Sequence, residues 1–200
     1  MRYVVTGAAG FIGSNIVKAL NERGVTDVVS VDEEKRGRKP ANLEDCTVAE
    51  HLYKDEFLKR LESGAYKSSI AAIFHQGANS DTTVTEAQRA EVMDTNLHYS
   101  ERLLDWCAGA RVPLIYASSA AIYGASRVFR EGEHEGPLNI YGDSKLQFDQ
   151  VVRKRGKVPM QVVGLRYFNV YGERENHKGR MASVAFHFFN QYRDAGYVRL

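Results

Sequence analysis

The first 32 residues constrain this chain more than any other stretch. A short apolar run, Tyr3 to Thr6, leads directly into Gly7-Ala8-Ala9-Gly10-Phe11-Ile12-Gly13. Ile12, Ile16 and Leu20 then recur at helical spacing until Arg23-Gly24 closes the helix. A second apolar run, Val28 to Val31, ends at Asp32. Strand, glycine turn, helix, strand and carboxylate in this order predict a parallel βαβ unit. Glycines let the backbone turn tightly and let a pyrophosphate approach the helix N-terminus, where free N–H groups and the helix dipole favour an anion. The spacing is G-x-x-G-x-x-G, a variant of the dinucleotide fingerprint. Asp32 lies 19 residues beyond Gly13, where a carboxylate can hold an adenosine ribose. Gly7, Gly10, Gly13 and Asp32 are therefore the first candidate cofactor residues.

The polar stretch Glu33 to Pro40 admits two readings. It is either a solvated loop or a site where Arg36, Arg38 or Lys39 neutralises a 2′-phosphate and selects NADP. Asp32 and Glu33 oppose the second reading, because carboxylates repel that phosphate and suit NAD. Beyond it, helical and strand patterns alternate: a helix over 54–63, a strand at Ala71 to His75, a long helix over 86–110, a strand at Val112 to Ala117, the Tyr141 helix to about Arg155, and a strand at Gln161 to Arg166. This alternation predicts an α/β fold with a doubly wound, Rossmann-like parallel sheet. Its strand ends deliver a small polar loop, Gln76-Gly77-Ala78-Asn79-Ser80, and the pair Ser118-Ser119 to where ligands bind in such sheets. His75 and Trp106 read as core, and Asn96 as either a surface residue or a buried hydrogen-bonding residue near the site. Val184, Phe188 and Tyr192 form an apolar helical stripe expected to face the core, and Tyr197 to Leu200 reads as the start of a strand. The expected division is a dinucleotide-binding domain over 1–172 and, over 173–200, the start of a smaller substrate portion that is largely missing.

A formal net charge of +2, with the charges scattered, gives no argument for nucleic-acid or membrane-surface binding. No apolar run approaches the ~18 residues of a membrane helix. The two cysteines, Cys46 and Cys107, fit no metal-ligand spacing and read as reduced thiols. A soluble, cytoplasmic protein without a metal site is the expectation.

Tyr141 and Lys145 are four residues apart, hence on one face of a helix. An ammonium beside a phenol favours the phenolate and makes Tyr a usable acid or base near neutral pH. A Ser hydroxyl from a neighbouring strand end could then orient a substrate alcohol or ketone.

Taken in order, the glycine turn, Ser119, Tyr141, Lys145 and the run Arg166-Tyr167-Phe168-Asn169-Val170-Tyr171-Gly172 resemble the extended short-chain dehydrogenase/reductase family, whose members act on nucleotide sugars. The segments Tyr116 to Gly124 and His177 to His187 are similar to its branch of ADP-heptose 6-epimerases. The resemblance implies redox epimerisation at C6 of ADP-glycero-manno-heptose through a 6-keto intermediate, with tightly held NADP (NAD the alternative), for lipopolysaccharide core heptose supply by a homo-oligomer. It implies that Tyr141 takes the C6 hydroxyl proton, Lys145 holds the nicotinamide ribose, and Ser119 binds the reacting oxygen. Lys178, a surface charge on composition alone, matches the family's second acid/base. Phe11, Ile12, Asp32, Glu33, Lys39, Lys54, Gln76, Gly77, Ala78, Asn79, Ser80, Asn96 and Val170 are implied cofactor contacts, and Asn169, Arg180 and His187 substrate contacts. Glu33, Glu173 and Arg180 depart from the family pattern of Asn, Pro and a small residue. The alternatives are a UDP- or GDP-sugar 4-epimerase or 4,6-dehydratase, and a non-catalytic dinucleotide-binding protein.

Overall fold

The computed structural model describes residues 1–33, 41–66 and 69–200. Six parallel strands form one sheet in the order β3-β2-β1-β4-β5-β6. They are β1 (Arg2–Thr6), β2 (Val28–Asp32), β3 (Glu50–Tyr53), β4 (Ile70–His75), β5 (Leu114–Ser119) and β6 (Val162–Tyr167). The helices are α1 (Phe11–Glu22), α2 (Lys54–Glu62), α3 (Arg89–Met93), α4 (Tyr99–Ala110), α5 (Ile140–Arg155) and α6 (Val184–Ala195). The strand order reverses between β1 and β4, so the carboxyl ends of the central strands open into one crevice there.

Alternation along the buried strands sends successive side chains to opposite faces. Val4, Val29 and Val31 join Phe57, Leu61, Leu103 and Leu104 on the face covered by α2, α4 and α5. Val5 and Val28 pack instead with Val17 of α1 and with Leu43 and Cys46. Each fully buried Val, Leu or Phe contributes on the order of 2 kcal/mol, and helices on both faces make the sheet doubly wound, as the alternation predicts. No helix among the described residues is long and apolar enough to cross a membrane.

Four expectations change. β3 has no counterpart in the sequence reading; its Glu-His-Leu-Tyr stretch buries a single apolar residue, Leu52, and so carries no apolar run. The long helix over 86–110 is interrupted. Thr85 and Gln88 form a capping box that starts a 3-10 turn, and a π-helical turn, Asp94–His98, separates α3 from α4. The stripe of α6 is not core: no residue of that helix is buried, and Val184 and Tyr192 are 62% and 64% exposed. Tyr197 to Leu200 joins no strand among the described residues, since an extended segment becomes a strand only beside a backbone it can bond.

Candidate active site

The glycine turn packs as its spacing demands. Gly7 adopts φ 64°, and a Cβ there would lie 2.7 Å from the Gly77 nitrogen. A Cβ on Gly13 would lie 2.0 Å from the Gly7 carbonyl oxygen. The turn therefore sits flush against both α1 and the loop after β4. No side chain caps α1 and no carboxylate occupies its first turn. The amides of Phe11, Ile12 and Gly13 thus point beyond the helix with no carbonyl inside it to accept them. Asp32 fixes the turn from the end of β2: its Oδ2 accepts the Ala9 N–H at 2.8 Å and its Oδ1 the Glu33 N–H at 2.7 Å. Glu33 is ion-paired with Lys54, which also reaches the Thr95 hydroxyl at 3.4 Å.

The second wall comes from β4. Thr6 Oγ1 accepts the Gly77 N–H at 3.1 Å and bonds the His75 Nδ1 at 2.6 Å, while His75 Nε2 bonds Ser100 Oγ at 2.8 Å. Burial holds His75 neutral, with a pKa pushed down to about 3; it serves the core. Asn96, within the π-helical turn, is buried. Its Oδ1 accepts the Asn79 N–H at 2.8 Å, and its amide donates to the Asn79 carbonyl at 2.9 Å and to Ser144 Oγ at 3.0 Å. Asn96 thus ties the 76–80 loop to α5 from behind. Neither Asn96 nor Asn79 lines the crevice.

The third wall carries the candidate chemistry. Asn139 caps α5 by accepting the Gly142 N–H at 2.7 Å, Asp143 lies in its first turn, and Arg153, Lys154 and Arg155 lie in its last. A Cβ on Gly142 would meet the Ala121 carbonyl at 2.9 Å, so glycine lets α5 start against the turn that follows β5. That close approach sets Tyr141 beside Ser119, which caps its own turn by accepting the Ala121 N–H at 3.1 Å. Lys145 is buried, with its Nζ 5.9 Å from the centre of the Tyr141 ring. The expected lowering of the Tyr141 pKa by Lys145 does not appear. Burial raises the phenol and is opposed by a hydrogen bond from Ser119. Burial also pushes Lys145 down to about 8, against the nearby Asp149 charge.

The three walls enclose a cavity of about 860 Å³. Gly7, Gly10, Phe11, Ile12, Gly13, Asp32, Glu33, Lys54, Gln76, Gly77, Ala78, Ser80, Ser119, Tyr141, Lys145, Asn169, Val170 and Lys178 all line it. Lys178 stands on the 3-10 turn Asn176–Met181, with its Nζ 5.5 Å from the centre of the Phe11 ring at the start of α1. Lys39, with Arg36 and Arg38, lies outside the described residues. Arg180 and His187 do not line the cavity; Arg180 is exposed and donates to Thr83 Oγ1 at 2.9 Å. Thr6, Thr95, Tyr99, Tyr167 and Met181 line it without having been singled out. Thr6, Thr95 and Met181 each adjoin a candidate residue in sequence (Gly7, Asn96 and Arg180) and Tyr167 lies two residues before Asn169, whereas Tyr99 carries no such signal.

These residues fit a dinucleotide. Both polar atoms of the Gln76 side chain are buried with no hydrogen-bond partner among the described residues, although Gln76 faces the cavity. A buried amide left unpaired costs on the order of 1–3 kcal/mol, which a polar ligand there would relieve. The free first turn of α1 adds an anion site beside it.

The sequence resemblance extends to known proteins. The chain is 56% identical over 199 residues to the ADP-L-glycero-D-manno-heptose-6-epimerase of Thiobacillus denitrificans, covering 98% of this chain and 59% of the relative. The crystal structure of the Helicobacter pylori ADP-L-glycero-D-manno-heptose-6-epimerase is similar with a TM-score of 0.84 and 32% identity, over 98% of this chain and 64% of that one. UDP-glucose 4-epimerase from Brucella ovis, in complex with NAD, is similar with a TM-score of 0.70 and 29% identity, over 86% of this chain and 53% of that one. The chain thus spans about three fifths of the length of the heptose epimerases that it matches. The NAD dependent epimerase/dehydratase family model matches residues 3–199. With the glycine cradle, the parallel sheet and this match in agreement, the chain belongs to the NAD dependent epimerase/dehydratase family.

Proposed function

We propose that this chain forms the dinucleotide-binding and catalytic part of an ADP-glycero-manno-heptose 6-epimerase that works through a 6-keto intermediate with bound NADP. The observation that carries the reading is that two candidate acid/bases line one cavity from different elements, Tyr141 beside Ser119 on α5 and Lys178 over Phe11 at the start of α1. Two C6 epimers direct their hydroxyls differently, so one fixed base serves only one of them well. Tyr141 takes the hydroxyl proton of one epimer, with Ser119 holding the reacting oxygen. Lys178 serves the other epimer. Lys145, beneath Tyr141, positions the nicotinamide ribose and supplies positive charge. A bound nicotinamide, held through Lys145 and the glycine turn, would supply the reversible hydride transfer at C6 that this chemistry needs.

The choice of NADP over NAD is supported by how the local carboxylates are engaged. Both Asp32 oxygens accept backbone N–H groups, and the Glu33 carboxylate is paired with Lys54. The negative charge that would repel a 2′-phosphate is thereby tied down. The heptose substrate, the homo-oligomer and the cytoplasmic setting rest on similarity to the longer heptose epimerases.

The first experiment identifies the nucleotide released when purified protein is denatured. NADP is the expected result; NAD moves the reading to a UDP-sugar 4-epimerase. Lys178→Met provides the second test. It should keep its nucleotide and lose about a hundredfold in turnover on ADP-glycero-manno-heptose, and full retained activity would sink the two-base assignment.

A further inference from the structure

The turn that carries Lys178 is fastened to the glycine-turn half of the molecule by polar contacts rather than by a hydrophobic core. Its residues include none that are buried and apolar. Arg174, only 13% exposed in its side chain, donates from Nη2 to both carboxylate oxygens of Asp45, at 2.8 and 2.7 Å, and from Nη1 to the Asn42 carbonyl. Asn42 faces the other way as well, donating to the Ala9 carbonyl of the glycine turn at 3.0 Å and to the Arg174 carbonyl at 3.3 Å, and meeting the His177 Nδ1 at 3.0 Å. Asn15 of α1 adds a bridge, from its amide to the Phe11 carbonyl at 2.9 Å and the Glu173 carbonyl at 2.9 Å. Lys18 also reaches Asp45, at 3.0 Å.

Inside the segment, the buried Glu175 ties its two ends together. It accepts the Gly172 N–H at 2.9 Å, the Ser183 N–H at 2.6 Å and the Ser183 hydroxyl at 3.0 Å. Arg174 itself takes a left-handed φ of 73°, a conformation non-glycine residues adopt only where surrounding contacts impose it. Segment 172–183 is therefore a preformed unit whose attachment beside α1 runs through Arg174, Asn42 and Asn15.

We propose that Arg174, clasped by Asp45 and the Asn42 carbonyl, is a positioning residue that sets Lys178 over the first turn of α1 and so fixes the reach of the second acid/base. The proposal rests on the epimerase reading. A guanidinium suits the task, since its planar fork holds the Asp45 carboxylate through Nη2 and the Asn42 carbonyl through Nη1 at once and so resists swivelling. Tying the turn to the same loop that contacts Ala9 gives Lys178 and the glycine cradle a common reference, so that both move together. Misplacing a reacting group by about 1 Å can cost on the order of a hundredfold in rate.

The test uses full-length, nucleotide-loaded protein acting on ADP-glycero-manno-heptose. Arg174→Gln and Asp45→Asn should each keep their nucleotide and melting temperature and lose tenfold or more in kcat with little change in KM, while Arg174→Lys keeps part of the rate. Placed on Lys178→Met, Arg174→Gln should cost nothing further, because the residue it positions is already gone. An equal loss in both backgrounds, or release of the nucleotide by Arg174→Gln, overturns the proposal by showing a general structural role. A strong loss in Lys178→Met but none in Arg174→Gln or Asp45→Asn overturns the clasp alone. Undiminished turnover in Lys178→Met overturns the two-base assignment beneath it and leaves the epimerase reading standing.

Discussion

The two sides of the cavity are built by different physics. The wall carrying Ser119, Tyr141 and Lys145 stands on β5, the turn that follows it and α5, where Leu114, Ile122 and Phe148 are 2% exposed or less. The part that carries Lys178 has little apolar packing: its turn, Asn176–Met181, and α6 bury no residue, and Tyr171 and Phe189 are 71% and 64% exposed. Lys178 is held there by Arg174, Asn42 and Asn15. Apolar packing fixes a group through many small contacts, so no single one decides its position. A polar clasp concentrates the same task in a few directional bonds, each of which single substitutions can remove. One candidate acid/base is thus set by the core and the other by identifiable side chains.

The sharpest break in this comparison is Tyr141→Phe. It removes the proposed acid/base while leaving the wall in place, so turnover should fall about a thousandfold with nucleotide content and melting temperature near wild type, read by single-turnover kinetics and thermal denaturation. Loss of nucleotide as well would assign Tyr141 to structure. Gly13→Val acts on stability instead. Its Cβ would meet the Gly7 carbonyl at 2.0 Å, so a loss of about 3 kcal/mol, roughly 6–12 °C in melting temperature, should accompany loss of the nucleotide. An unshifted melting curve would show that the turn can relax.

pH separates the buried groups from the exposed side. Lys145 has its pKa lowered from 10.5 to about 8 by burial. Its charge is present below pH 8, so kcat/KM should fall as pH rises through 8, and this limb should be absent in the residual activity of Lys145→Met. Between pH 8 and 10.5 the unfolded chain holds the proton that the native state has released, so Lys145 adds stability as pH rises across that window. His75, lowered from 6.5 to about 3, works at the acid end. Between pH 6.5 and 3 the unfolded chain binds a proton that native His75 refuses, so stability should fall as pH drops through that interval. Denaturant midpoints measured from pH 8 to 4 check this sign. The smallest effect belongs to α6: Phe189→Ser in the 200-residue chain should change stability by less than about 0.5 kcal/mol. A larger loss would mean that the exposed side contributes packing after all.

Much of this organisation was legible because short-range chemistry specifies it. The glycine turn announces itself through residues that only a tight turn and close helix approach require, and five of the six strands follow from apolar runs. β3 escaped because its pairing, Val29 with Glu50 through Asp32 with Tyr53, is set by a neighbour 21 residues away, and its one buried residue leaves no pattern. The break in the 86–110 helix was half legible: Thr85 and Gln88 spell a capping box, but the π-helical turn that aims Asn96 at the 76–80 loop has no local signature. The α6 stripe misled because helical periodicity reveals an apolar face without revealing what covers it.

By itself, then, the sequence determined the parallel α/β sheet, the glycine cradle, and the one-turn spacing of Tyr141 and Lys145, all consequences of local backbone preference and periodicity. The tertiary structure alone decided that burial raises the Tyr141 pKa, that Asn96 serves the loop from behind, and that Asp45 and Arg174, 129 residues apart, meet to hold the Lys178 turn. Desolvation and long-range pairing depend on which distant groups converge, and no window of sequence contains both partners.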